Sequence, residues 1–209
     1  MTTPLGTFDV AAREGRRVTV ARRTRETDIA VTLDLDGTGA PDVRTGVGFL
    51  DHLLCSFAHH GLFDLAVRAT GDLEIDEHHT VEDVALVLGA ALAESLGDRA
   101  GIVRFGEASV PLDEALATAV VDVGGRPHAV VDLVFRGERV GALPTQLVEH
   151  ALEAFARTSG TTLHLRGTGR NDHHLAEAAF KALARALRAA VAVDPRRAGA
   201  VPSTKGSLG

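Results

Sequence analysis

The 209-residue sequence predicts an α/β (α+β) fold built from two similar halves. Each half reads as a β-hairpin, a helix, a strand and a second helix, with sheet on one side and helices on the other. Three observations carry this prediction. Strand-like alternation and helix-like apolar spacing follow one another in the same order twice along the chain. A polar pattern repeats with them: His52 stands 18 residues before Thr70-Gly71, and His150 stands 18 residues before Thr168-Gly169. Beyond each Thr-Gly pair comes the same motif, His78-His79-x-x-Glu82 in one half and His173-His174-x-x-Glu177 in the other. Self-similarity of this kind marks a duplicated unit.

The elements follow in order. Arg16–Thr24 and Ile29–Leu35 alternate or run β-branched, and Asp36-Gly37-Thr38-Gly39 before Val43 is turn chemistry, so a hairpin is expected. From Phe49 to His60 the spacing of Leu50, Leu53, Leu54 and Phe57 is helical. Asp64–Thr70 alternates as a strand, and Val81–Leu96 is a strong Ala-rich helix. In the second half Ala117–Val123 and Ala129–Phe135 are expected to pair around Gly124-Gly125-Arg126-Pro127. Leu147–Thr158 is then helical, Thr161–Gly167 a strand and Leu175–Ala192 a long amphipathic helix. No Pro/Gly/Ser-rich linker separates the halves near 97–103. Residues 1–209 are therefore expected to form a single unit of two pseudo-repeats, about 16–98 and 105–194. The tail, Pro195–Gly209, reads as a loose extension unless something binds it.

Composition narrows the class. Hydrophobic residues make up 45% and charged ones 24%, but the chain holds eight Phe, no Trp and no Tyr, so its core must be aliphatic. A formal net charge of −6 argues against general nucleic-acid binding. The lone Cys55 excludes an intrachain disulfide and fits a reducing cytoplasm. Neither a signal peptide nor an apolar run of membrane-spanning length is present, so no membrane partner is expected.

The repeated motif has the chemistry of a metal site. On a helix, His78 and Glu82 share a face at i, i+4, whereas His79 projects about 100° away. Neighbouring histidines thus point at different targets, as two ions would require. With His52 and His150 supplied from the preceding helices, the set His52, His78, His79, Glu82, His150, His173, His174 and Glu177 is enough for two sites of three His and one Glu each. Imidazole with carboxylate suits Zn, Fe, Mn or Co, and the lack of thiolates argues against a finger-type structural zinc.

Several blocks carry a resemblance to a known family. They are Gly48-Phe49-Leu50-Asp51-His52-Leu53-Leu54, Asp76-Glu77-His78-His79-Thr80-Val81-Glu82-Asp83, Pro111-Leu112-Asp113-Glu114 and Gly125-Arg126-Pro127. To these add Asn171 through Lys181 and the closing Pro202-Ser203-Thr204-Lys205-Gly206. In this order, and from about Arg16 onward, the chain resembles imidazoleglycerol-phosphate dehydratase. The resemblance implies a duplicated two-layer sandwich, each half a four-stranded sheet with helices packed on one face (ribosomal protein S5 domain 2-like). It implies a hydro-lyase of histidine biosynthesis that converts D-erythro-imidazoleglycerol phosphate to imidazole acetol phosphate and water. Two Mn2+ per active site are implied, and a homo-oligomer, a 24-mer built from trimers, with active sites shared between subunits. Ser56, Cys55 and His59 depart from the residues usual at these positions.

The implied reaction explains a two-metal site. The proton to be lost sits on a hydroxyl-bearing carbon with no carbonyl beside it. A di-manganese-bound imidazolate could expel the neighbouring hydroxide, giving a diazafulvene-like intermediate whose C–H is acidic. Glu26 matches the family position for acid/base work, the alternative being a solvent-facing strand charge. His60 and Asp113 match a second proton-relay pair, although His60 could equally cap the helix ending at Gly61. Arg104, Arg126, Lys181, Ser203 and Lys205 match the phosphate and substrate contacts. Lys181 follows Glu177 by one helical turn and so shares a ligand's face. The competing readings are a di-metal phosphate-ester hydrolase and a non-catalytic metal-binding shell protein.

Overall fold

The computed structural model describes residues 7–197 and 199–208. Alternation dictates the first sheet. Strands β1 (Asp9–Glu14), β2 (Arg17–Arg23) and β3 (Thr27–Asp34) run antiparallel in sequence, and Val18, Val20, Ile29, Val31 and Leu33 all turn to the same buried face. β4 (Pro41–Arg44) leads into helix α1 (Gly48–Gly61) and then β5 (Asp64–Gly71), which inserts between β3 and β4. β5 pairs antiparallel with β3 and parallel with β4, so β4-α1-β5 is a βαβ crossover. Helix α2 (His78–Leu96) completes the half.

The second half repeats this plan. β6 (Phe105–Leu112) and β7 (Ala115–Asp122) form the hairpin; β8 (His128–Leu133) leads through a two-strand excursion, β9 (Arg139–Val140) with β10 (Leu143–Pro144), into α3 (Gln146–Ser159). β11 (Thr162–Thr168) then inserts between β7 and β8, antiparallel to one and parallel to the other, and α4 (Asp172–Val191) closes. The strand orders β2-β3-β5-β4 and β6-β7-β11-β8 are the same topology. The first sheet gains a fifth strand, β1, beyond the four expected.

The expected second hairpin is placed differently. β7 and β8 do not pair around Gly124–Pro127; β11 lies between them. Gly125 N–H donates to Gly160 O and His128 N–H to Thr161 O, so this segment spans β11 instead of closing a hairpin. The true hairpin is β6–β7, which turns at Asp113-Glu114 with Asp113 at φ 48°. β6 is disguised in sequence by Gly106 and Pro111, and an edge strand tolerates both. A Cβ on Gly106 would strike the carbonyl of Ala186, so α4 can ride close to this sheet only over a glycine.

Each sheet carries its helices on one face, and the two helical layers meet. α2 packs on α3, and α1 packs on α4. The sheets are therefore outermost. In α2 the run Val84 to Ala91 is buried on all sides, as a helix covered both by its sheet and by another helix must be. α4 achieves its close approach with Ala178, Ala179, Ala182, Ala186 and Ala190, which explains an aliphatic core with few aromatics. The tail is not loose among the described residues: Gly101 N–H donates to Ala200 O, and Arg104 Nη1 donates to Pro202 O at 2.9 Å.

Candidate functional site

Both His-His motifs open a helix. Asp76 Oδ1 accepts from His78 N–H at 2.8 Å at the start of α2, and Asn171 Oδ1 accepts from His173 N–H at 3.0 Å at the start of α4. One helical turn later stand Glu82 and Glu177.

The helix pairing of the fold decides which histidines meet. α1 lies on α4, so His52 joins His173 and Glu177: His52 Nε2 is 3.1 Å and His173 Nε2 3.2 Å from Glu177 Oε2. α3 lies on α2, so His150 joins His78 and Glu82, with His150 Nε2 3.4 Å from Glu82 Oε1 and the two imidazoles 4.9 Å apart. Each cluster thus takes its upstream histidine from the opposite half, not from the helix that precedes it in sequence. Within each cluster the candidate ligand atoms lie within 4.8 Å of one another. That spacing would let the three groups of a cluster share one ion. His150 Nε2 is buried without a hydrogen-bond partner, an unsatisfied nitrogen that a cation would satisfy.

His79 and His174 stand outside both clusters. The His79 ring is turned 81° from that of His78, and the His174 ring 88° from that of His173. His79 Nδ1 is 3.0 Å from Asp72 Oδ2, and His174 Nδ1 is 2.9 Å from Glu114 Oε2. These bonds raise the pKa of each imidazole above its ordinary value, and His174 together with the N–H groups of Asn171 and Arg170 holds the Glu114 carboxyl at about 2.

Glu26 sits in the β2–β3 turn, its Oε2 3.9 Å from His79 Nδ1. Thr24 Oγ1 accepts from the N–H groups of Glu26 and Thr27, both at 3.0 Å. Thr27 Oγ1 in turn donates to the buried Asp83 of α2, which also pairs with Arg22 at 2.5 Å. Asp113 lies in the corresponding turn of the other half, Oδ2 3.9 Å from His174 Nε2. His60 is in the last turn of α1, and burial, then Lys181, lowers its pKa.

The five expected phosphate and substrate contacts separate. Arg104, Arg126, Ser203 and Lys205 line one cavity of about 540 Å3, with Arg197 adding a further cation. Asp122 orients Arg104 there through two bonds, at 2.8 and 2.9 Å. Lys181 is elsewhere: its Nζ is 2.7 Å from Glu177 Oε1. Burial would push the Glu177 carboxyl up, but Lys181 and His52 outweigh it and hold it down at about 2. The cavity lies where Arg104 N–H meets Ala190 O near the end of α4. At 1.5 Å per residue, the helix places His174 about 24 Å away.

A family model for imidazoleglycerol-phosphate dehydratase matches residues 45–187. The chain belongs to the imidazoleglycerol-phosphate dehydratase family. It is 59% identical over 189 residues to the imidazoleglycerol-phosphate dehydratase of Methanoculleus marisnigri, covering 90% of this chain and 97% of that one. The chloroplastic enzyme of Pisum sativum is 56% identical, with 90% of this chain and 68% of that one covered. Among solved structures, the Pyrococcus furiosus enzyme superposes with a TM-score of 0.77 at 37% identity, covering 90% and 99% of the two chains. The Staphylococcus aureus enzyme does so with a TM-score of 0.74 at 35% identity, covering 83% and 98%. Members of the dehydratase family are hydro-lyases, and this places the chain in that enzyme class.

Four residues of these sites carry no role in the sequence reading: Asp72, Glu114, Asp122 and Arg197. Asp72 directly follows Thr70-Gly71 and Glu114 directly follows Asp113, so proximity to the motifs was the only signal. Asp122 gave none, because its contact to Arg104 depends on sheet register.

Proposed function

We propose that the chain dehydrates D-erythro-imidazoleglycerol phosphate to imidazole acetol phosphate and water in histidine biosynthesis, in a cytoplasmic setting. The observation that carries this reading is the pair of matched three-ligand clusters in a chain of this family. His52, His173 and Glu177 would hold one manganese ion, and His78, Glu82 and His150 the other, giving two Mn2+ per active site. When bound, these ions supply Lewis acidity at the two ring nitrogens of the substrate.

The protein's own groups do the rest. Arg104, Arg126, Ser203 and Lys205 bind the phosphate through charge-assisted hydrogen bonds and fix the reacting carbons. Glu26 would take the proton from the hydroxyl-bearing carbon once the neighbouring hydroxyl has left as water. His60 and Asp113 serve the leaving group and the enol-to-ketone proton return. Lys181 keeps the Glu177 carboxylate ionised for metal.

A site shared between copies follows from distance. Ring and phosphate of the substrate are separated by a chain of about five bonds, roughly 7 Å. The cavity is about 20 Å along α4 from its own Glu177, the nearest ligand of the cluster on that helix. The cavity of one chain therefore serves an α4 cluster on a neighbouring chain, and His79 or His174 of another copy would supply the fourth ligand of each ion. This agrees with a 24-mer built from trimers. Binding of a triazole phosphonate, a mimic of ring and phosphate, tests the reading. At one hundred times its Kd it should stabilise the manganese-loaded protein by about 2.7 kcal/mol. No shift in melting temperature would favour the hydrolase or shell reading.

A further inference from the structure

We propose that Asp72 and Glu114 are positioning residues that lock His79 and His174 in the tautomer whose Nε2 is free to ligate a metal held by another copy of the chain. The proposal rests on the metal reading of the preceding section and names the two groups that reading leaves without a role.

Four observations support it. The histidines concerned are the two motif members outside the intrachain clusters, and in both the carboxylate meets the same ring atom, Nδ1. A neutral imidazole that donates from Nδ1 has its lone pair on Nε2, and metal-bound histidines are commonly held this way by a carboxylate. The Glu114 carboxylate is itself anchored, and Asp72 is held through its backbone while its Oδ1 is buried without a hydrogen-bond partner. Glu114 Oε1 accepts from Arg170 N–H at 2.9 Å and from Asn171 N–H at 2.8 Å, leaving Oε2 for His174. Asp72 sits in a tight turn, its carbonyl accepting from Ile75 N–H at 2.8 Å.

The fourth observation is that the two halves reach this geometry by different routes. Asp72 follows Thr70-Gly71 in the first half, but the equivalent residue after Thr168-Gly169 is Arg170. In the second half the carboxylate comes instead from the β6–β7 turn, 60 residues from the histidine it holds. An ordinary loop latch would have been inherited in place or lost. Restoration of the same contact from another strand fits a requirement on the imidazole.

The two variants Glu114→Gln and Asp72→Ala test the idea in the full chain. In Glu114→Gln the amide oxygen keeps both backbone N–H groups, which turns the NH2 toward His174 Nδ1 and favours the Nε2–H tautomer. Asp72→Ala leaves His79 unheld, and Asp72→Asn is the substitute if that chain fails to fold. The readouts are the manganese Kd from the electron paramagnetic resonance of free Mn2+, and assembly size by light scattering. Each variant is expected to bind manganese 10–100-fold more weakly than the unsubstituted chain and to recover its assembly when manganese is raised by that factor. Wild-type manganese affinity in both variants would overturn the proposal. If the unsubstituted chain binds no manganese, the metal reading itself fails and takes the proposal with it.

Discussion

If phosphate and metal sites of one reaction come from different chains, two dead variants should rescue each other. The first variant, Arg126→Ala/Lys205→Ala, removes two exposed cations from the tail cavity without touching Arg104, whose bonds to Asp122 and Pro202 hold the tail. Each lost charge-assisted contact to phosphate costs about 1.5–3 kcal/mol, so the pair should lower kcat/KM by at least about 100-fold. The second variant, His173→Ala, takes one of three ligands from the cluster at the start of α4 and should abolish turnover. Co-expressed with different tags and purified as mixed assemblies, the two restore activity only where an intact cavity faces intact metal ligands. With random mixing, a site that takes its cavity from one chain and the affected cluster from another is intact in about a quarter of cases, whatever a third chain contributes. Mixed assemblies should thus turn over imidazoleglycerol phosphate at about a quarter of the wild-type rate, far above either parent. The distance along α4 makes this a sharp test. Mixed assemblies no more active than the average of their parents would mean that one chain holds a whole site, and the separation argument would fail.

Other consequences concern single residues. In Gly89→Ala the new Cβ would meet Phe155 O at 2.5 Å where α2 crosses α3. Overpacking of about 3 kcal/mol against a gain of about 1 in helix propensity leaves a net loss near 2 kcal/mol. That corresponds to roughly 4–8 °C in Tm, read by calorimetry on metal-free protein; an unchanged Tm would show that α2 and α3 can separate freely. Thr27→Val strips the donor from buried Asp83 and should cost about 1–3 kcal/mol, with kcat falling as the Glu26 turn loosens, whereas Thr27→Ser should restore both. Asp64 gathers the N–H groups of Ala40, Thr38 and Gly39, which hold its pKa below the ordinary 3.8. A depressed carboxylate stabilises the fold above its unfolded pKa and stops doing so as pH falls through the folded one. Asp64→Asn should therefore flatten the stability profile below about pH 4, measured by urea midpoints; a parallel profile would assign the acid limb to other groups.

Much of this architecture was readable because local patterns were strong. The long helices announced themselves through spacing such as Leu50, Leu53, Leu54 and Phe57, and the metal motifs through exact repetition of His-His-x-x-Glu. What the sequence concealed was pairing. Nothing local in Ala117–Val123 or Ala129–Phe135 says that β11 will come between them, since register and strand order depend on closing a sheet over 40 residues of chain. The same limit applied to the clusters. His52 and His173 are drawn together by α1 packing on α4, a long-range contact that no spacing along the chain encodes. β6 was hidden by Gly106 and Pro111, residues that disfavour a strand locally and are kept because α4 needs the space and the edge needs no donor. Lys181 is the instructive case: its family match grouped it with the phosphate and substrate contacts, while its helical phase, one turn after Glu177, already pointed to the candidate ligand it pairs with.

The most direct test of the account is an anaerobic assay of manganese-loaded protein with imidazoleglycerol phosphate, following imidazole acetol phosphate against a metal-stripped control. The account predicts product only in the loaded sample, with two ions per chain and loss of turnover in His78→Ala and His174→Ala. Two bound ions per chain with no product would contradict it, and would mean that the family scaffold here serves another substrate.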